Sequence, residues 1–275
     1  MPNKSKECWK RRITLIESFD LEQLRKVVTQ CGQAILDFER TDIVVLSNDD
    51  ENKKTNLDVL INESMTHGLK MILDIPIISE EDDDWTVKER PRTYWLVDPI
   101  DGTRSYLDGF NTYVTQAALM LDSQPVIAVV YAPALDELFT AVKGEGAFKN
   151  NRRIQVSSNL VPEIIIDNYP SPNDFLRGVM ENLSIKEYIE CGSIALKICR
   201  VSEGAADVFV KNTRVHDWDV APGELILNES GGKLGLTNGN NFEYKDNYRK
   251  TSLLATANQS FFNSTARAIN ENLNL

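Results

Sequence analysis

The sequence predicts a two-lobed fold in which an α/β half packs against an α+β half. Three observations predict it: amphipathic helices open the chain, a run of hairpin-connected strands follows, and the C-terminal part alternates strands with helices. We expect the boundary near Asn150, which gives an N-terminal α+β lobe of residues 1–150 and a C-terminal α/β lobe of residues 151–275.

The N-terminal lobe is predicted to begin with helices. Apolar residues at helical spacing predict an amphipathic helix from Ser18 to Phe38, capped by Ser18 or Asp20. The polar, acidic stretch from Asp42 to Lys54 is typical of a mobile loop, which could act as a lid. A second helix is expected from about Leu57 to Met71.

Strands follow these helices. Short apolar runs at Ile75–Ile78 and Tyr94–Val97 each end in acidic residues, so two strands are expected to deliver carboxylates at their ends. The stretches Val114–Leu121, Pro125–Tyr131 and Glu137–Val142, separated by turn residues, predict an antiparallel meander.

The C-terminal lobe alternates element types. The predicted elements are a strand at Glu163–Asp167, a helix around Phe175–Leu183, a helix at Ser193–Glu203, a strand at Ala206–Val210 and a helix at Val220–Ser230.

Composition narrows the functional classes. Lys and Arg number 30 against 41 Asp and Glu, a formal net charge of −11, which argues against binding a nucleic-acid polymer through its phosphates. No apolar stretch approaches the roughly 18 residues of a membrane span, and no targeting segment is recognisable, so we expect a cytoplasmic protein. The widely spaced cysteines are expected to be free core thiols: Cys8, Cys31, Cys191 and Cys199.

The most informative string is Asp98-Pro-Ile-Asp101-Gly-Thr103, directly after an apolar strand. Two carboxylates this close repel each other unless one is protonated or a cation lies between them. Magnesium binds hard oxygen ligands, which Asp98, Asp101 and the Ile100 carbonyl could supply. An ordinary acidic turn is the alternative.

Two further strings carry acidic residues after predicted elements. Glu80 follows the neighbouring strand, although Glu81 to Asp84 could be only a solvated acidic run. Asp219 lies at a predicted helix N-terminus, where it could reach a metal or only cap backbone amides. The nearby His216 is not required for chemistry that uses a metal-activated water.

Together these strings resemble the inositol monophosphatase superfamily, whose members carry an acidic pair after a strand, DPIDGT, and WD opening a helix that ends at Gly-Gly. The resemblance extends to Gly144-Glu-Gly-Ala-Phe and Cys191-Gly-Ser193. It implies the five-layer αβαβα sandwich shared with fructose-1,6-bisphosphatase, and a magnesium-dependent phosphatase that acts on a small phosphorylated molecule. It also implies two or three Mg²⁺ ions between the lobes, a homodimer and sensitivity to lithium.

The resemblance also assigns roles residue by residue. The implied metal ligands are Glu80, Asp98, the Ile100 carbonyl, Asp101 and Asp219. Thr55-Asn-Leu-Asp58 fits the family's Thr-x-x-Asp, so Asp58 and Thr103 would orient and deprotonate the attacking water, with Asp49 or Asp50 as the alternative to Asp58. Gly102 and Thr103 would bind the phosphate.

The substrate signals are mixed. Inositol-specific members usually carry a glutamate seven residues before the WD aspartate, and Asn212 occupies that position here. The helix with Lys197 and Arg200 resembles that of bacterial 3'(2'),5'-bisphosphate nucleotidases, so both could meet a second phosphate, with Ser193 as a further contact. We therefore expect hydrolysis of adenosine 3',5'-bisphosphate to AMP, with an inositol-1-phosphatase or sugar phosphatase as the alternative. A non-catalytic binding module and a calcium-stabilised structural protein are more remote alternatives.

Overall fold

The computed structural model describes residues 19–49, 52–82, 90–245 and 247–273. Its helices are α1 (Leu21–Asp37), α2 (Asn56–Ile72), α3 (Thr103–Leu107), α4 (Asp174–Leu183), α5 (Ile194–Ser202), α6 (Asp217–Glu229) and α7 (Gln259–Leu273). The predicted helices at 18–38, 57–71, 175–183, 193–203 and 220–230 are confirmed to within three residues at each end, whereas α7 was not predicted.

The stretch predicted as a mobile loop is instead a β-hairpin. Strand β1 (Val45–Asp49) pairs antiparallel with β2 (Asn52–Thr55), in the register Val45↔Thr55 and Asp49↔Asn52. The polar side chains misled the prediction, because backbone pairing satisfies this segment without requiring a buried face. Asp50 lies outside the described residues, as does the tip of the hairpin.

The larger sheet holds the predicted meander. It runs in the order β3 (Ile77–Ser79), β4 (Thr93–Asp101), β5 (Val114–Leu121), β6 (Gln124–Ala132), β7 (Glu137–Val142), β8 (Gly146–Lys149) and β9 (Arg152–Arg153). All neighbours pair antiparallel except β3 and β4, which are parallel. Asp122 and Ser123 both have positive φ, as the two central residues of a tight hairpin turn require.

The smaller sheet belongs to the C-terminal part. Its strands are β10 (Ile164–Asp167), β11 (Glu187–Glu190), β12 (Val208–Lys211), β14 (Lys233–Gly235) and β16 (Leu253–Thr256), in the order β11-β10-β12-β16-β14. A separate two-stranded ribbon joins β13 (Val215–His216) to β15 (Arg249–Lys250). Strands β10 and β12 confirm the predicted strands at 163–167 and 206–210.

The hydrophobic contacts arrange these elements in layers. Helices α1 and α2 pack on one face of the larger sheet, and α5 and α6 fill the space between the two sheets. Helices α4 and α7 cover the outer face of the smaller sheet. The order is therefore helices, sheet, helices, sheet, helices, which is the five-layer αβαβα sandwich that the resemblance implied.

Three of the cysteines, Cys31, Cys191 and Cys199, are buried and free, as predicted, and Cys8 lies outside the described residues. None of the described helices is long and apolar enough to cross a membrane. The lobe boundary near Asn150 stays a prediction.

Candidate active site

The parallel pairing of β3 and β4 brings two acidic residues together. Ile77 pairs with Trp95 and Ser79 with Val97, so the next position along β3 falls beside Asp98. Glu80 occupies that position, and its backbone N–H donates to the Val97 carbonyl at 3.2 Å. The carboxylates that follow the two strands therefore meet at one edge of the sheet, as the sequence predicted.

An irregularity in β4 places a second aspartate on the same side. Asp98 pairs with Gln116 and Asp101 with Val114, so β4 has one more residue than β5 over this interval. Residues three apart on a regular strand point to opposite faces, but one extra residue restores the same face. The chain then turns at Gly102, whose φ of +93° is in the left-handed region, and enters α3.

Asp219 reaches the same pocket from the other side. It is the third residue of α6, and its Oδ2 accepts the backbone N–H of His216 at 2.7 Å. This is the capping contact that the sequence offered as the alternative to metal binding, and it uses only one of the two carboxylate oxygens. The His216 ring stacks on Trp218, with centroids 4.7 Å apart. Burial and the neighbouring cations lower the pKa of His216 to about 4, so the ring is neutral at pH 7.

These elements enclose a cavity of about 420 Å³, large enough for a nucleotide. Its acidic lining consists of Glu80, Asp98, Asp101 and Asp219. The remaining lining residues are Lys53, Ile100, Gly102, Thr103, Arg104, Asn168, Gly192, Ile194, Lys211, Thr213, Arg214 and His216. Sequence reasoning missed the cations among them and Asn168.

The acidic residues of the cavity repel one another. Both carboxylate oxygens of Asp98 are buried without a hydrogen-bond partner among the described residues. Burial, followed by the charge of Glu80, raises the pKa of Asp98 well above its usual range. Burial and the charge of Asp219 do the same for Glu80, and burial followed by the charge of Asp101 raises the pKa of Asp219 to about 7. A cation among these groups would reverse the repulsion.

The acidic residues of the cavity offer oxygen ligands to a metal ion. Within the described residues, no three His, Cys, Asp or Glu side chains already converge on one metal position. Magnesium usually keeps several waters and takes only one or two carboxylates from the protein. Carboxylates on separate walls, with two unpartnered oxygens on Asp98, fit that requirement.

Asp101 is held by the N-terminus of α5. Its Oδ2 accepts the Ser193 hydroxyl at 2.5 Å and the Ala195 amide at 2.7 Å, and its Oδ1 accepts the Ile194 amide at 3.2 Å. Ser193 is fully buried and does not line the cavity. The structure therefore places Ser193 behind Asp101, rather than at the substrate position expected from the sequence.

Asp58 and Thr103 are brought together, although 45 residues separate them. The Thr103 hydroxyl lies 3.2 Å from Asp58 Oδ1 and 2.8 Å from the Ile100 carbonyl. Asp58 is buried in α2, where its other oxygen accepts the Thr55 amide at 2.7 Å. Burial raises the pKa of Asp58 despite these hydrogen bonds. The side chain of Asp49, the alternative to Asp58, lies outside the described part of the structure.

The other expected substrate contacts are placed elsewhere. Lys197 is fully buried and hydrogen-bonds to Asn168, which lines the cavity. Arg200 forms ion pairs with Glu137 at 2.6 Å and Glu203 at 2.5 Å and does not line the cavity. Its predicted contact with a second phosphate is therefore not supported by its position.

The predicted contact of Asn212 is not supported either. Asn212 is exposed and does not line the cavity, whereas Lys211, Thr213 and Arg214 do. Local sequence carries no signal that identifies Lys211 and Thr213 as cavity residues, because the chain leaves β12 after Lys211.

Three relatives resemble the chain over different lengths. A 3'(2'),5'-bisphosphate nucleotidase CysQ of Buchnera aphidicola is 29% identical over 252 residues, which cover 89% of this chain and 93% of that protein. Inositol monophosphatase 3 of Solanum lycopersicum is 35% identical over 158 residues, or 54% of this chain and 59% of that protein. The Thermotoga maritima IMPase structure has a TM-score of 0.79 at 24% identity, over 92% of this chain and 98% of that chain.

A model of the inositol monophosphatase family matches residues 18–274, nearly the whole chain. The structural likeness agrees with the five-layer fold. The chain therefore belongs to the inositol monophosphatase family and is a metal-dependent phosphoric monoester hydrolase.

Proposed function

We propose that the chain is a magnesium-dependent 3'(2'),5'-bisphosphate nucleotidase, which hydrolyses adenosine 3',5'-bisphosphate to AMP and phosphate. The observation that carries the magnesium-dependent reaction is the unpartnered Asp98 carboxylate in a cavity that also contains Thr103. The nucleotide is favoured by the Buchnera aphidicola relative, which is similar over most of both chains.

In this proposal Glu80, Asp98, Asp101, Asp219 and the Ile100 carbonyl hold the metal. Bound magnesium supplies positive charge that polarises the phosphoryl group and lowers the pKa of a water molecule. The number of ions, expected to be two or three, stays a prediction.

Thr103 and Asp58 orient the attacking water. The Thr103 hydroxyl has one hydrogen and two acceptors within reach, Asp58 Oδ1 and the Ile100 carbonyl. When it donates to Asp58, its lone pairs can accept a hydrogen bond from the water. The water proton then passes through the hydroxyl to Asp58, whose raised pKa makes it a better base near neutral pH. In this proposal Gly102 and Thr103, which both line the cavity, contact the phosphate through their backbone amides.

An inositol-1-phosphatase is the second candidate, because the Solanum lycopersicum relative is 35% identical over 158 residues. Phosphate release by the purified protein separates the two. The nucleotidase predicts a strong preference for adenosine 3',5'-bisphosphate over inositol 1-phosphate in the presence of Mg²⁺. The opposite preference would establish the second candidate instead.

Two controls test the chemistry behind either substrate. Asp98→Asn should abolish release, and Ca²⁺ should inhibit instead of replacing Mg²⁺. Absence of release from every phosphomonoester tested, with the fold intact, would contradict the proposal and favour a binding module. The homodimer, lithium sensitivity and cytoplasmic location expected from the sequence stay predictions.

A further inference from the structure

The end of β12 forms a basic wall of the cavity. Lys211 is the last residue of β12, and the cavity is lined by Lys211, Thr213 and Arg214 but not by Asn212. Lys211 and Arg214 therefore make this wall of the cavity positively charged.

The Lys211 ammonium is available to a ligand. In the part of the chain that the structure describes, it forms no ion pair or hydrogen bond, although the side chain is half-buried. Its side chain lines the same cavity as Asp219 and His216, and so does that of Arg214.

The cations of α5 cannot take this role as they are placed. Lys197 is engaged by Asn168 and by Asp167 at 3.4 Å, and Arg200 is engaged by two glutamates. Each would have to leave these partners before it could bind an anion. Lys211 has no such contact among the described residues, so it can bind without a rearrangement.

We infer that Lys211 and Arg214 form a second anion subsite, which binds the non-reacting phosphate of a bisphosphate substrate. Lysine and arginine offer only donors, and a phosphate dianion offers only acceptors, so the wall suits a second phosphate better than a ring of hydroxyl groups, whose hydrogens also need acceptors. This inference rests on the proposed function, because it assumes that the reacting phosphate binds at the carboxylates and Thr103.

Two substrates that differ only in the second phosphate test it: adenosine 3',5'-bisphosphate and adenosine 3'-monophosphate. For the wild type, kcat/KM should be higher with the bisphosphate. Lys211→Gln and Arg214→Gln should each lower kcat/KM for the bisphosphate by about 10- to 100-fold, the loss expected for a charge-assisted hydrogen bond. They should change kcat/KM for the monophosphate by less than about threefold.

Arg152→Gln is the matched control, because it removes the same charge from an exposed residue of β9 outside the cavity. It should leave both substrates unaffected. Inhibition by the product gives an independent readout: AMP should inhibit the wild type more strongly than adenosine does, and Lys211→Gln should remove the difference.

The outcomes separate the two proposals. Equal losses on both substrates, or no loss on either, would overturn the subsite while leaving the phosphatase intact. A wild type that releases phosphate from neither nucleotide would refute the proposed nucleotidase itself. Unfolding temperatures within about 2 °C of the wild type would exclude misfolding of the variants as the cause.

Discussion

The Ser193 hydroxyl donates a hydrogen bond to Asp101 Oδ2 at 2.5 Å, and its oxygen accepts the Leu196 amide at 2.9 Å. One side chain thus caps α5 and fixes a carboxylate at the end of β4. Because β4 belongs to the larger sheet and α5 lies between the sheets, this contact ties the acidic pocket to the helical layer beside it. A loss of the hydroxyl should therefore affect both stability and the metal site.

Ser193→Ala tests this dual role. We expect unfolding to become easier by about 1–2 kcal/mol, since one helix cap is lost. The Mg²⁺ concentration for half-maximal phosphate release should also rise by about 10-fold or more, because Asp101 keeps only the amides of Ile194 and Ala195. Denaturant titration and a Mg²⁺ activation curve measure the two effects.

Asn173→Ala is the matched control, because Asn173 caps α4 through the Leu176 amide at 2.9 Å and lies outside the cavity. It should cost similar stability without changing the Mg²⁺ requirement. If the two variants have the same activation curve, the contact between Ser193 and Asp101 has no role at the metal site.

Asp98→Asn should have opposite effects on stability without and with magnesium. Without divalent ions at pH 8, removal of one charge from the cluster with Glu80 and Asp219 relieves repulsion, so the variant should unfold at a higher temperature than the wild type. With Mg²⁺ the wild type should gain more stability, because it binds the ion more tightly. Phosphate release should fall by about 10²-fold or more.

Calorimetry at pH 8 measures the unfolding temperatures of the variant and the wild type, once with EDTA and once with saturating Mg²⁺. A variant less stable than the wild type in EDTA would contradict the repulsion among these carboxylates.

The sequence predicts the positions of the acidic residues better than it predicts which basic residues line the cavity. Glu80 and Asp98 could be predicted to meet because each follows an apolar strand, and the parallel register of β3 and β4 then sets them side by side. The spacing of Asp98 and Asp101 also predicts a shared metal site, but the position of Asp101 on the same face depends on one extra residue in β4, which the sequence does not reveal. The helices could be predicted because the apolar spacing and the capping residues of each helix lie within its own segment of the sequence.

The position of each basic residue could not be predicted in this way. Lys197 and Arg200 resemble substrate contacts in the sequence, but they form ion pairs with Asp167 and Glu137 from other parts of the chain. Arg200 also pairs with Glu203, three residues further along. Only tertiary packing decides whether a long side chain turns toward a pocket or toward an acidic neighbour. The hairpin of β1 and β2 escaped prediction for a related reason, because its backbone pairing needs no apolar pattern.

Thr103→Val should lower kcat while leaving KM nearly unchanged. Valine keeps the shape but cannot pass a proton to Asp58, so we expect a loss of about 10²- to 10⁴-fold, the range for acid–base catalysis. Thr103→Ser keeps the hydroxyl and should retain activity within about tenfold of the wild type. Steady-state kinetics with the preferred substrate measure the difference. Equal losses in both variants would mean that the hydroxyl is not the group that matters.

Glu224, which lies in α6 outside the catalytic cavity, should make stability depend on pH. The Tyr244 hydroxyl donates to Glu224 Oε2 at 2.5 Å. Burial nevertheless raises the pKa of Glu224 from 4.5 to about 7, aided by the charge of Asp217 and opposed by hydrogen bonds from Tyr244 and Asn228 and by the charge of Lys233.

The direction of the pH dependence of stability follows from the raised pKa of Glu224. Because folding raises this pKa, the neutral acid favours the folded state in full below about pH 4.5, and the contribution is lost as the pH rises through about 7. Glu224→Gln stays neutral and keeps a hydrogen-bonding partner for Tyr244. At saturating Mg²⁺ the variant should come within about 1 kcal/mol of the wild type at pH 5 and exceed its free energy of unfolding by about 1–3 kcal/mol at pH 8. Phosphate release should not change, since Glu224 lies outside the catalytic cavity. Urea titrations at the two pH values measure the difference, and a variant less stable than the wild type at pH 8 would mean that the folded protein stabilises the ionised Glu224 carboxylate.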